Sequence, residues 1–177
     1  MDYKRLENSI IDVIKEEQAK LGYRKEEIRL YYPLSSLNHF FETTAEPEKM
    51  KNILTGFGAY TQEKLGNVLV SNKGERFCFH IPEQGAEYVH EHMKPNEFIK
   101  KLVDLVGEHG CTMQQVKDLF QAQEKKVHME PMNNGEFDLL IRFEGDEQDP
   151  YYYCFKDEGC HIIYHRFLPE DYADFEF

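Results

Sequence analysis

The side chains best suited to chemistry lie close together near the end of the chain. Cys154, His161 and His165 fall on two predicted strands that are joined by a short turn. If Phe155 pairs with Cys160 across this turn, Cys154 lies opposite His161, and directly opposed Cβ atoms are about 5 Å apart. A thiol and an imidazole at that separation could form half of a zinc site, or a nucleophile with its base.

A structural role explains these residues better than catalysis or metal binding. His161 and His165 share a strand face, but a rise of about 3.3 Å per residue places them roughly 13 Å apart. The sequence contains no second pair with ligand spacing, and no nucleophile elbow, phosphate-binding loop, dinucleotide-binding turn or H-E-x-x-H helix. We therefore predict no catalytic residue, no metal site and no cofactor. An enzymatic role stays open, although a non-enzymatic one is favoured.

Cys78 and His80 form a second pair of this kind on one face of a predicted strand. The alternate residues Phe77, Phe79 and Ile81 should form the core face of that strand. We interpret the pair as ordinary strand residues. The sequence has neither a C-x-x-C pair nor a signal peptide, so its four cysteines are expected to be free thiols in a reducing compartment.

Negative charge is concentrated in the last third of the chain. The whole sequence has a net charge of −12, and residues 127–177 alone carry 3 Lys or Arg against 13 Asp or Glu, a net charge of −10. Phosphate groups would be repelled there, which argues against nucleic-acid binding. Glu144, Asp146, Glu147 and Asp149 follow one another in a predicted hairpin loop. Their order lacks the oxygen spacing and the glycine of an EF-hand, which indicates a solvated loop.

The same third is rich in aromatic residues, since 11 of the 24 Phe and Tyr residues fall in it, including Phe175 and Phe177. The strand register proposed above divides the last two strands into two faces. One contains Tyr151, Tyr153, Ile162 and Tyr164, and the other contains Tyr152, Cys154, His161, Ile163 and His165. Because both faces are aromatic, either both are covered or one is a binding surface.

Apolar periodicity predicts that helices dominate the chain up to residue 126. The first helix runs from Tyr3 to Gly22, and a short helix capped by Ser35 or Ser36 and a helix from Pro47 toward Leu65 follow a strand. Gly56 and Gly58 weaken the middle of the helix from Pro47, which leaves its continuity open. Later helices cover Pro82 to Met93, Pro95 to Val106 and the segment after a Thr112 to Gln115 capping box. The predicted strands in this part are Ile28 to Tyr32 and a hairpin of Val68 to Val70 with Phe77 to Ile81.

Four strands joined by short loops make up the remainder. They are Val127 to Met132, Phe137 to Phe143, Tyr151 to Phe155 and His161 to Phe167, arranged as an antiparallel meander. Helices first and strands last indicate an α+β fold. The length fits a single domain, residues 1–177, with a helical part at about 1–126 and an acidic aromatic sheet at about 127–177.

The chain lacks an apolar run long enough to span a membrane, and residues Met1 to Arg5 lead into a charged helix. We therefore expect a soluble cytoplasmic protein that does not bind a membrane.

The run VIKEEQAKLGYRKEEIRLYYPLSSLNHFF, from Val13 to Phe41, resembles the start of a bacterial family described only as a domain of unknown function. The similarity extends over most of the chain. The run contains no chemical signature, and a family of this kind has no established activity or site residues. The resemblance therefore implies membership without a mechanism.

Two functional hypotheses follow. The first is a non-catalytic binding protein, either an adaptor or an immunity-like inhibitor, whose acidic aromatic sheet docks a basic protein. The alternative is a small enzyme or ligand-binding protein with a pocket between helices and sheet near Cys154, His161 and His165. They differ in whether these side chains converge in a cleft or lie on an open face.

Overall fold

The fold is described from a computed structural model, which describes residues 1–174. Phe175 and Phe177 lie outside the described residues. The chain forms two compact units, Met1–Lys100 and Lys101–Phe177. The single domain expected from the sequence stays a prediction.

The first unit combines helices with a three-stranded antiparallel sheet. Its helices are α1 (Lys4–Leu21), α2 (Leu34–Phe41), α3 (Pro47–Ile53), α4 (Phe57–Thr61), α5 (Glu83–His92) and the start of α6 (Glu97–Gly107). Its strands are β1 (Ile28–Pro33), β2 (Leu69–Lys73) and β3 (Arg76–Ile81), in the order β1-β3-β2. The predicted first helix, strand and hairpin are thus confirmed.

Helix α1 follows directly from its apolar stripe. Leu6, Ile10 and Ile14 recur at helical spacing and are fully buried. The helix ends where Gly22 adopts a φ of 78°, a region that favours glycine, and the Gly22 backbone N–H donates to the Gln18 carbonyl.

Two details of the next helices differ from expectation. Helix α2 begins at Leu34, directly after Pro33, and has no side-chain cap, so the predicted caps Ser35 and Ser36 are wrong. The extended backbone of Pro33 ends β1 and also sets the start of the helix. The helix from Pro47 does not reach Leu65, because a 3₁₀ turn (Leu54–Gly56) separates α3 from α4.

The three-stranded sheet has one buried and one outward face. Tyr32 pairs with Phe77, and both lie on the buried face with Phe79 and Ile81. The alternation predicted for Phe77 to Ile81 is therefore confirmed. Cys78 and His80 lie on the outward face and are partly exposed.

The second unit contains α7, a four-stranded sheet and α8. Helix α7 (Met113–Gln121) begins at the predicted Thr112 to Gln115 capping box, in which both reciprocal hydrogen bonds form. The strands are β4 (Val127–Pro131), β5 (Leu139–Phe143), β6 (Tyr152–Asp157) and β7 (Ile162–Phe167), followed by α8 (Pro169–Asp174). Their order β4-β5-β6-β7, with every pair antiparallel, confirms the α+β fold with a C-terminal meander.

Phe120 of α7 anchors the core of this unit. Its ring lies 5.3 Å from Phe143, 5.1 Å from Tyr153 and 5.8 Å from Phe155, measured between ring centroids. Three of these four rings are fully buried and Phe143 is nearly so. One face of the meander is therefore core.

Candidate functional site

The predicted register of β6 and β7 is wrong. Cys154 lies opposite His165 rather than His161, Phe155 opposite Tyr164, and Tyr153 opposite Arg166. Strand β6 continues to Asp157, which pairs with Ile162, so the turn begins later than predicted. The Asp157 carboxylate accepts a hydrogen bond from the Gly159 backbone N–H at 2.8 Å, which stabilises this turn.

The division of residues between the two faces nevertheless survives. The shift moves each partner by four positions, and an even shift leaves every side chain on its original face. Tyr152, Cys154, Ile163 and His165 therefore share one face. His161 precedes β7 and is exposed, and its Nδ1 atom lies 3.2 Å from the Cys160 sulfur.

Cys154 is not placed to act as a nucleophile. Its side chain is 0% exposed, and burial, followed by the charge of Glu130, raises the pKa of its thiol to about 12. The thiolate is the reactive form of cysteine, so this thiol is inert near neutral pH. Cys154 and His165 are opposed, but they do not form an open Cys–His site.

Much of the second aromatic face is itself covered. Cys154 belongs to a small buried cluster with Met132, Leu140 and Phe167. Phe137, Tyr152 and Tyr172 pack against this cluster, and the Tyr152 and Tyr172 rings lie 5.0 Å apart. Tyr172 belongs to α8, so this helix covers part of the sheet. Ile163 and His165 remain exposed beside the cluster.

Most carboxylates of the predicted acidic loop after β5 already contact other side chains of the protein. Glu144 contacts the Lys126 ammonium at 2.7 Å, and Asp146 contacts that of Lys125 at 2.6 Å. These hydrogen bonds lower the pKa of both carboxyl groups. The loop is therefore less negative than its sequence suggests.

Asp149 also has an internal role in this loop. The buried Tyr153 hydroxyl donates to its carboxylate at 2.8 Å and 3.0 Å. Glu147, in contrast, is exposed. Of the four predicted loop residues, Glu147 presents its charge most openly to solvent.

The opposite end of the meander carries carboxylates with fewer cations nearby. The turn after β4 holds Glu136 and Asp138 there, and the end of β6 and the turn after it hold Asp157 and Glu158, all four exposed. Asp138 accepts a hydrogen bond from the Asp157 backbone N–H at 2.9 Å, and it contacts the Lys156 ammonium at 3.2 Å. The backbone hydrogen bond, with Lys156 adding to it, lowers the pKa of Asp138. We call these four residues the acidic end.

Sequence reasoning missed a polar constellation on the outward face of the first sheet. The Ser71 hydroxyl lies 3.2 Å from His80 Nε2, and His80 Nδ1 lies 3.8 Å from a Glu27 carboxylate oxygen. The order hydroxyl, imidazole, carboxylate is that of a hydrolytic triad. However, 3.8 Å exceeds hydrogen-bond length, and an open sheet face offers no cleft for a substrate. The arrangement therefore orders a polar surface. Only the strand pairing, which brings Ser71 beside His80, could have revealed it.

A cavity of the first unit lies at the start of α1 and the end of α2. It is an open depression of about 510 Å³ lined by Arg5, Asn38, His39, Glu42, Thr43 and Thr44. Arg5 is already paired there with Glu42 at 3.0 Å. None of the predicted site residues lines it.

Within residues 1–174, no group of three or more His, Cys, Asp or Glu side chains is arranged to hold a metal ion. In the same part of the chain, no helix combines the length and apolar character that crossing a membrane requires.

Fold and site together define an α+β protein with two antiparallel sheets, in which Cys154, His161 and His165 do not converge in a cleft. The chain belongs to the family described as "Domain of unknown function, E. rectale Gene description (DUF3877)", whose model matches residues 3–175. This confirms the resemblance noted from the sequence, and the family has no established activity. No curated protein and no solved structure matches the chain significantly.

Proposed function

We propose that this protein is a non-catalytic binding protein, an adaptor or an immunity-like inhibitor, whose meander docks a basic surface of another protein. The observation that carries the proposal is the charge of residues 127–177, where 13 acidic residues outnumber 3 basic ones. A field of one sign speeds the encounter with an oppositely charged partner.

The geometry favours the acidic end over the loop after β5 as the centre of this charge. Lys125 and Lys126 partly neutralise the loop, whereas Lys156 is the cation in contact with Asp138 at the other end. Glu136 and Glu158 are exposed at the acidic end, so their charges are available to a partner.

An exposed apolar residue lies next to this charge. Ile163 is 47% exposed and pairs with Lys156 in the sheet register, near the start of β7, the strand that directly follows the turn holding Glu158. His165 continues the same exposed face toward the half-buried Tyr152. A partner could therefore bury Ile163 while its cations contact the surrounding carboxylates. This combination is typical of protein interfaces, which have an apolar centre and a polar rim.

The test begins with capture of the partner by the tagged full chain from cells of the source organism, followed by measurement of association rates at several salt concentrations. Reversing Glu136→Lys and Glu158→Lys together should slow association at least tenfold and flatten its salt dependence. The matched control is Glu48→Lys with Glu63→Lys, a pair of exposed carboxylates in the first unit.

A third variant separates the two ends of the meander. Glu144→Lys with Glu147→Lys should slow association less, because Lys126 already neutralises Glu144. If the captured partner is acidic, or if all three variants associate at the same rate, the proposed docking surface is wrong.

A further inference from the structure

The outward face of the first sheet has the opposite electrostatic character. Strand pairing places Arg29 opposite His80, and Lys73 opposite Arg76, all on this face. None of the residues in β1, β2 or β3 is acidic. Three cations therefore share one sheet surface in a chain whose net charge is −12.

Two large apolar side chains are exposed among these cations. Tyr31 is 51% exposed and Leu69 is 61% exposed. Tyr31 pairs with Cys78 in the sheet register, and Leu69 pairs with His80. We call Arg29, Tyr31, Leu69, Lys73 and Arg76 the basic sheet face.

Several of these side chains are already ordered. The Arg76 guanidinium lies 4.9 Å from the centroid of the Tyr31 ring, a cation–π contact that holds both side chains over the sheet. His80 lies between Ser71 and Glu27, at 3.2 Å and 3.8 Å. Ordered side chains lose less conformational entropy when a partner binds, and Arg and Tyr are frequent energetic centres of interfaces.

We propose that the basic sheet face docks an acidic surface of a partner protein. Two exposed carboxylates flank this face, Glu27 at 3.8 Å from His80 and Glu75 in the turn between Lys73 and Arg76, and the three cations outnumber them. Leu69 and Tyr31 would be buried at the centre of the contact, and the three cations would pair with carboxylates around it. This surface is independent of the acidic end, so the protein would have two docking faces of opposite charge.

The face suits a protein better than a nucleic acid. Sheet surfaces that bind single-stranded nucleic acid stack several bases on free aromatic rings, whereas the Tyr31 ring here already contacts the Arg76 guanidinium and the His80 ring lies between Ser71 and Glu27. An exposed leucine among the cations is a feature that a protein partner can bury.

The test uses three probes with the full chain: a peptide of glutamate and leucine, a peptide of lysine and leucine, and an oligothymidylate. The acidic peptide should bind with an affinity that falls as salt rises. Reversing Arg29→Glu and Arg76→Glu should weaken this binding at least tenfold. The control Lys49→Glu with Lys51→Glu, on exposed positions of α3, should change it less than twofold.

A second pair of variants tests the apolar part. Leu69→Ser should weaken binding of the acidic peptide about fivefold, whereas Leu21→Ser, at a residue that is 60% exposed, should leave it unchanged. This pair also carries the test if the doubly reversed variant does not fold, which circular dichroism would show.

Three results would overturn the inference: no binding of the acidic peptide, equal losses in the test and control variants, or tighter binding of the oligothymidylate with the same sensitivity to Arg29 and Arg76. Failure of the lysine peptide to bind would instead contradict the proposed function, in which the acidic end docks a basic partner. The two proposals can therefore fail separately.

Discussion

The four cysteines show how strongly burial determines the chemistry of one residue type. Cys154 is fully buried and Cys111 is nearly so, whereas Cys160 is exposed and Cys78 is partly exposed. Burial raises the pKa of Cys154 and, together with the charge of Glu108, that of Cys111. A raised pKa and lack of access both slow the reaction of a thiol.

We therefore expect the native protein to react with iodoacetamide at Cys160 first and at Cys154 last. Peptide mass spectrometry after timed labelling at pH 7.5 measures the order, and labelling in urea should make all four rates similar. Rapid labelling of Cys154 in the folded protein would show that the cluster around it opens readily, and would bring back the thiol as a candidate nucleophile.

At the scale of secondary-structure elements, α7 holds the meander through Phe120. The Phe120 side chain is 0% exposed, and the rings of Phe143, Tyr153 and Phe155 surround it. Removing a ring from such a site loses both its transfer free energy and its packing contacts, because the neighbours collapse only partly.

Phe120→Ala should lower the free energy of unfolding by about 3 to 5 kcal/mol, as measured by urea denaturation. Phe120→Leu, which retains most of the volume, should lower it by less than about 1.5 kcal/mol. A loss below about 1 kcal/mol in the alanine variant would mean that the helix does not pack on the sheet as described.

Periodicity allowed these elements to be predicted, because an apolar repeat of 3.6 or 2 is written in the sequence. The position of the turn between β6 and β7 cannot be predicted in this way, because a register shift by an even number of residues leaves the same side chains on each face. The pairing of Cys154 with His161 was therefore wrong although the face of each residue was right.

The need for glycine at position 58, within α4, has a similar origin. A Cβ atom there would lie 2.7 Å from the Val68 carbonyl oxygen, a contact that depends on how the chain folds after α4. The burial of Cys154 could not be predicted for the same reason. Tyr172 and Phe137 cover it through tertiary packing, which the sequence pattern does not reveal.

For the whole molecule, buried acids make stability depend on pH above neutrality. Burial holds the pKa of Tyr153 well above its usual range and that of Cys154 at about 12. Both groups are neutral in the folded state, and in the unfolded chain they ionise near their ordinary values of about 10 and 8.5. Their contribution is therefore complete below the unfolded pKa and is lost as pH rises toward the folded value.

Stability should fall as pH rises from about 9 to 11, with each such group contributing a slope of up to about 1.4 kcal/mol per pH unit. Cys154→Ala removes one of these groups, so its unfolding free energy should depend less steeply on pH over this range, even though the variant is less stable at pH 7. Urea denaturation at each pH, with reductant present, measures both slopes. The matched control is Cys160→Ala, which removes a cysteine that is exposed in the folded chain. Equal slopes in the wild type and Cys154→Ala would mean that the thiol ionises as easily in the folded protein as in the unfolded one, which contradicts its burial beneath Tyr152 and Tyr172.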